Sequence, residues 1–167
     1  MEAHRRERLR AGWQSVLFLV VAPGSVAGVI PWLITRWHGS TPWPWVTGAL
    51  GWLHVVAGAA FLLHAFGVFV VRGLGTPAPV APTRSLVVSG TYRWVRNPMY
   101  LAVTAVILGQ ALLFGSWQLV AYAAVVVAAF AAFVHWYEEP TLRERYGAEY
   151  DSYRSTVPGW WPRRPRS

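Results

Sequence analysis

The amino-acid sequence predicts an all-α integral membrane protein with about four transmembrane helices, a cytoplasmic loop between the second and third, and a C-terminal amphipathic helix. Three observations carry that expectation. Of 167 residues, 54% are hydrophobic and 13% charged, against roughly 25% charged in an average soluble domain. The charges are bunched, so that Ala11 to Thr35, Trp37 to Val71 and Asn97 to Tyr137 carry none. The fifteen basic residues are all arginine and flank these runs. Disorder, coiled coil and collagen are excluded by this composition. The absence of cysteine excludes a disulfide framework, a thiolate metal site and a cysteine nucleophile. A net charge of +8 would suit nucleic acid, but arginines set beside apolar runs point to a membrane surface, and no nucleic-acid partner is expected.

A helix rises about 1.5 Å per residue and needs roughly 20 residues to cross the hydrocarbon core. The first two runs therefore hold one span each, and the third holds two, divided at Gly115-Ser116. The helices are expected near Val16 to Ile34, Val46 to Val71, Met99 to Phe114 and Trp117 to Tyr137, the third being short for a full crossing. The first run continues through Pro31-Trp32, so an uncleaved span is expected rather than a secretory signal. Arg5, Arg6, Arg8 and Arg10 precede the first span, Arg72, Arg84, Arg93 and Arg96 lie between the second and third, and Arg143, Arg145, Arg154, Arg163, Arg164 and Arg166 follow the fourth. Only Arg36 falls on the opposite side, so the positive-inside rule puts both termini and the middle loop in the cytoplasm. The all-arginine, alanine- and valine-rich usage hints at a bacterial chain in the cytoplasmic (inner) membrane. The expected organisation is one domain, 1–167, with two N-terminal spans in 1–71 and a second half in 72–167.

Within the spans, Gly24 and Gly28 stand four apart, a small-residue face for close helix packing. Pro23 and Pro31 are expected to kink that helix. His54 and His64 are about 80° out of alignment on an ideal helix, so a polar contact between helices is expected rather than a shared metal ion. Trp32, Trp37, Trp43 and Trp45 near one interface and Trp160-Trp161 near the other fit aromatic belts.

Two polar segments on the cytoplasmic side are unlike generic loops. In the first, Leu86-Val87-Val88-Ser89-Gly90 reads as an extended piece with a turn. It leads to Thr91-Tyr92-Arg93-Trp94-Val95-Arg96-Asn97-Pro98-Met99-Tyr100. Asn97 before Pro98 reads as a helix start, asparagine accepting from free first-turn amides and proline losing no hydrogen bond at the first position. That end favours an anionic group. In the second segment, Glu138-Glu139 closes the fourth span, and adjacent helical positions diverge by about 100°, so at most one of the pair faces a given pocket. Beyond it Leu142, Tyr146, Tyr150 and Tyr153 make one amphipathic face, with acids and arginines turned to water. A helix end, a carboxylate pair and aromatic rings on one side of the membrane suit a zwitterionic, nucleoside-like cofactor.

At these two segments the chain resembles the isoprenylcysteine carboxyl methyltransferase and phospholipid methyltransferase superfamily of membrane enzymes. The carriers are Gly90-x-Tyr92-x-x-Val95-Arg96-Asn97-Pro98-x-Tyr100, then, after a helical hairpin, Glu138-Glu139-x-x-Leu142, Tyr146-Gly147, Tyr150, Tyr153, Val157-Pro158 and Pro162. The resemblance covers Gly73 to Pro162 and implies an enzyme that passes the methyl group of S-adenosylmethionine to a lipophilic or lipid-attached acceptor, with membrane lipid as its other partner. It implies cofactor contacts at Arg84, Ser85, Leu86, Val87, Tyr92, Asn97, Pro98, Met99, Tyr100 and Glu138, and no metal. Asn97 stands where the family often has histidine, which keeps the capping role and removes a titratable group. The substrate-side arginine of the eukaryotic enzymes would fall near Val134, which argues against a prenylcysteine carboxylate as acceptor.

In-line methyl transfer asks for alignment, exclusion of water and an acceptor in its nucleophilic form. An amine acceptor must lose a proton, for which His135, Glu139 or a tyrosine near the site are the candidates, with no means of choosing among them in the sequence, and Arg145 is a candidate partner for an anionic head group. Phospholipid amine N-methylation is the alternative within the class. Outside it stand an NADPH-dependent sterol-type reductase, whose cofactor phosphate asks for a denser arginine cluster, and a four-span transporter subunit, which would place an ionisable group deep in a span.

Overall fold

The computed structural model describes residue 17 and residues 20–41, 43–73 and 85–164, and within these it contains helices and no strand. Four apolar helices follow one another: α1 (Val20–Thr35), α2 (Pro44–Gly73), α3 (Pro98–Phe114) and α4 (Trp117–Tyr146). A short amphipathic helix, α5 (Ala148–Thr156), closes the chain, and a single 3-10 turn, Gly90–Arg93, precedes α3. Among the described residues, only α2 and α4 are long and apolar enough to cross a membrane by themselves. Just 17% and 22% of their most apolar windows are buried, so their apolar surface faces outward, unlike that of a soluble protein's core helix.

The α2/α3 hairpin is antiparallel and close. A Cβ on Gly109 would stand 2.8 Å from the carbonyl oxygen of Gly51, and one on Gly58 3.0 Å from that of Ala102, so small residues on α2 and α3 set the backbone separation. Around them Leu62, Ala102, Val103, Ile107, Ala123 and Val126 form the core, drawn from α2, α3 and α4. The expected small-residue face on α1 is corrected here. Gly24 and Gly28 have nothing within 4 Å of their Cβ positions, and the close approach belongs to Gly51, Gly58 and Gly109 instead.

Proline determines what α1 does. Pro31 offers no N–H, and its ring crowds the turn before it. The helix responds with a π-turn at Ser25–Val29, in which the Ile30 amide reaches back to the Ser25 carbonyl. Pro31 has no N–H to give to the carbonyls one turn back, those of Val26 and Ala27. Tyr122 of α4 donates its hydroxyl to Val26 at 2.9 Å, and Gln110 of α3 donates its amide to Ala27 at 2.6 Å. Where lipid offers no water, such side-chain donors are what makes the irregular turn tolerable. The same device recurs in α4, where a π-turn at Val134–Glu138 precedes Pro140 and the Glu139 amide bonds the Val134 carbonyl.

The α3/α4 turn falls at Gly115-Ser116 as the sequence indicates. Gly115 adopts a left-handed conformation (φ 59°), and Ser116 caps α4 by accepting from the Leu119 amide. Packed against it is the α1/α2 connection, where a Cβ on Gly115 would meet the Ser40 carbonyl at 2.6 Å. These two turns share one end of the bundle, and residues 90–98 and 138–160 share the other.

Three further expectations are corrected. His54 does not bridge helices: its Nδ1 pairs with the Leu50 carbonyl of its own helix at 2.8 Å, and His64 is exposed. The fourth helix does not end at Tyr137 but runs on to Tyr146, and both acids find partners on its inner side. The amphipathic stretch is not one helix, since Gly147 (φ 51°) breaks it before Ala148. Arg5, Arg6, Arg8, Arg10, Arg84 and Arg166 lie outside the described residues.

Gln110→Leu removes the donor to the part-buried Ala27 carbonyl. The expected loss is about 1–3 kcal/mol of stability, read as a lower midpoint in thermal or detergent-driven unfolding of the purified protein. An unchanged midpoint would mean that the Ala27 carbonyl needs no side-chain donor.

Candidate functional site

The site is built where the start of α3 meets the chain beyond α5. Residues 94–97 and 158–163 run side by side: the Arg96 amide donates to the Pro158 carbonyl at 2.9 Å, the Asn97 amide to Gly159 at 3.3 Å, and the Arg163 amide to Trp94 at 3.0 Å. The Asn97 side chain joins this pairing, its Nδ2 donating to the Gly159 carbonyl at 3.1 Å. The expected cap by Asn97 is therefore corrected. The residue sits at the cap position, but α3 has no side-chain cap, and the carboxamide is instead oriented so that Nδ2 donates to the C-terminal strap. With Pro98 first in the helix, the positive end of α3 keeps uncapped first-turn amides.

Arg96 is the hub. Its Nε donates to the Val157 carbonyl at 3.0 Å, and one terminal nitrogen donates to Glu139 Oε1 at 2.7 Å and to the Tyr150 hydroxyl at 3.0 Å. Glu139 Oε2 receives Arg154 at 3.2 Å, and the side chains of Arg96 and Glu139 are each only 14% exposed. The guanidinium thus ties together the start of α3, the end of α4, α5 and the strap. Sequence reasoning placed Arg96 beside the helix start and missed this role. The signal was its position next to Asn97-Pro98, with an acid pair expected on the same side.

The two acids diverge as helical spacing requires. Glu139 faces Arg96 and Arg154, and Glu138 accepts a short hydrogen bond from the Tyr100 hydroxyl on α3. The Tyr100 ring lies 4.4 Å from Phe130 and 6.3 Å from Trp160, centroid to centroid. Trp160 therefore turns into the site, while its neighbour Trp161 stays outside. The Tyr92 ring packs 6.1 Å from Phe69. Burial first, then the nearby Tyr153 and Glu138, hold the Tyr92 phenol well above its ordinary range. Burial likewise raises Tyr150 and Tyr153. All three stay protonated at neutral pH, and Tyr153 donates its proton to the Tyr92 carbonyl at 2.7 Å.

Of the sequence-predicted cofactor residues, Tyr92, Asn97, Pro98, Tyr100 and Glu138 meet at this end of the bundle. Met99 leans toward the core cluster, Val87 is buried, Leu86 half-buried and Ser85 exposed. Arg84 lies outside the described residues. The catalytic candidates stand apart from Glu138. Glu139 is held between Arg96 and Arg154, and Arg145 lies exposed over the Tyr146 ring at 5.8 Å. His135 lines an open cavity of about 470 Å³ with Glu139, Pro140, Arg143, Glu144 and Arg154.

Removing one member of a buried ion pair strands the other. Arg96→Gln and Glu139→Gln are each expected to cost about 3–5 kcal/mol of stability, and the double variant less than their sum. Strict additivity in that double-mutant cycle, read by unfolding, would show that the two side chains are not coupled.

No curated protein and no solved structure matches the chain. The family of phospholipid methyltransferases matches over residues 46–149, a stretch that begins in α2 and takes in the Arg96-Asn97-Pro98 helix start, the α3/α4 hairpin and both acids. With more than half of its length matched, including the Arg96-Asn97-Pro98 helix start and both acids, the chain belongs to the phospholipid methyltransferase family.

Proposed function

We propose that the protein is a multi-pass enzyme of the cytoplasmic membrane, with both termini in the cytoplasm, that transfers a methyl group from S-adenosylmethionine to a lipophilic acceptor. The observation that carries the reading is the Glu138–Tyr100 pair at the uncapped start of α3, beside Trp160 and Tyr92. Family membership supports it independently. All four apolar helices are read as crossing, α3 with the shortest span. The alternation of their ends and the gathering of arginines at the site end support that topology.

The donor set fits the cofactor by chemistry. Glu138 keeps Oε2 for ribose hydroxyls or an ammonium, since Tyr100 takes Oε1. The first-turn amides of α3 suit a carboxylate. The rings of Tyr100 and Trp160 suit an adenine face or a sulfonium. S-adenosylmethionine supplies an electrophilic methyl group on sulfur. The chain's own part is to orient and to exclude water: Tyr100 fixes the Glu138 carboxylate, and Arg96 holds the strap that carries Trp160. Because the Tyr100, Tyr92 and Tyr153 hydroxyls are all committed or buried, none is poised as a base.

For the acceptor, the family description favours a phospholipid amine. Val134, buried at the position where the resemblance would put a carboxylate-binding arginine, weighs against a prenylcysteine carboxylate. His135, exposed beside the open cavity, is the group suited to take a proton from an amine.

Membranes containing the protein, given methyl-labelled S-adenosylmethionine and lipid extract, should form labelled N-methylated lipid amines. Glu138→Ala should still insert but lose donor affinity by roughly ten- to a hundredfold, the worth of one or two hydrogen bonds to a charged group. Label in base-labile methyl esters would shift the acceptor to a carboxylate, and full affinity in the variant would discard Glu138 as a donor contact.

A further inference from the structure

The paired segments around 93–97 and 157–164 carry, on their outer side, a group of side chains that the proposed reaction leaves unused. Trp161 is 83% exposed and Trp94 45% exposed. Arg93, Arg163 and Arg164 are exposed as well, and none makes an ion pair among the described residues. Three other arginines at this end are matched by acids: Arg143 by Asp151 at 2.8 Å, and Arg96 and Arg154 by Glu139. Here no match is at hand, since neither residues 85–98 nor residues 157–164 include an acid.

The position of the group selects its partner. Arg163 is bonded through its amide to the Trp94 carbonyl, four residues ahead of Pro98, where the apolar helix α3 begins. The group therefore sits level with the polar edge of the bilayer. At that depth an indole ring is at home, and guanidinium groups find phosphate oxygens that they can bind in a forked geometry. We infer that Trp94, Trp161, Arg93, Arg163 and Arg164 form a docking surface for the anionic head groups of the leaflet on the site's side. The surface lies on the strap that holds Arg96 and Asn97, so lipid binds directly behind the Glu138 cluster. This inference does not depend on the identity of the methyl donor.

The test uses the full chain in vesicles of one fixed composition, a neutral phosphatidylcholine with a minority of phosphatidylglycerol, in which bromine is carried by the acyl chains of either lipid. Tryptophan quenching is compared between the two labellings. Quenching per brominated lipid should be stronger when the anionic lipid carries the bromine. The excess should vanish in Trp161→Phe, in Arg163→Gln/Arg164→Gln, and in the unaltered protein at high salt, where exposed charges are screened. At about 1 kcal/mol for each arginine near a charged surface, the double variant is expected to lose on the order of tenfold or more in preference for the anionic lipid. Equal quenching by the two labellings would overturn the inference. So would an excess that survives in the arginine variant, or one abolished by millimolar inorganic phosphate, which would make the site one for soluble anions.

Discussion

The Arg96 guanidinium is the constraint on which the arrangement at the site end depends. Four separate pieces of chain converge there through its hydrogen bonds: Glu139 from α4, Tyr150 from α5 and the Val157 carbonyl from the strap, all from a residue two ahead of α3. A charge held at 14% exposure must have its hydrogen bonds met. Meeting them fixes where α5 lies and where the strap turns. The strap then delivers Trp160 to Tyr100, and Tyr100 in turn orients Glu138. Glu138 itself makes no contact with Arg96 in this chain of effects, and is positioned through its neighbours.

A second constraint comes from prolines in apolar helices. Pro31 and Pro140 each follow a π-turn, and each lacks the N–H that a carbonyl one helical turn earlier would accept. In α1 the carbonyls of Val26 and Ala27 accept from Tyr122 and Gln110, which fasten a helix with few other contacts to the α3/α4 pair. In α4 the π-turn ends at Glu138, so the irregular turn falls where the helix leaves the apolar region and enters the site. Wide turns of this kind are common near functional groups. Here the turn sets how Glu138 and Glu139 diverge toward Tyr100 and Arg96.

How much of this was legible in the sequence follows from how local each cause is. The apolar runs, the Gly115-Ser116 break, the helix start at Pro98 and the divergence of the two acids rest on composition and helical spacing, and the structure agrees with each. The misreadings concern partners distant in the chain. Asn97 has the residue type of a cap, and only the nearness of Gly159, 62 residues on, diverts it. Gly24 and Gly28 have the spacing of a packing face, but α1 leans on the bundle through carbonyls rather than through glycines. The helix carries on past Tyr137, and the two acids there find Arg96 and Tyr100 as partners. The Arg96 hub was the largest omission: its place beside the helix start hinted at the acid pair, but not at Tyr150 or the Val157 carbonyl.

The central claim is that the Arg96-held strap and the Glu138–Tyr100 pair make a site for a sulfur nucleoside. It is tested most directly by calorimetric titration of S-adenosylmethionine, S-adenosylhomocysteine and NADPH into the detergent-purified protein, alongside Arg96→Lys, which keeps the charge and loses the fork. The account predicts that the two sulfur nucleosides bind and NADPH does not, and that Arg96→Lys weakens them both. Binding of NADPH in their place, or affinity for them indifferent to the loss of the fork, would contradict it.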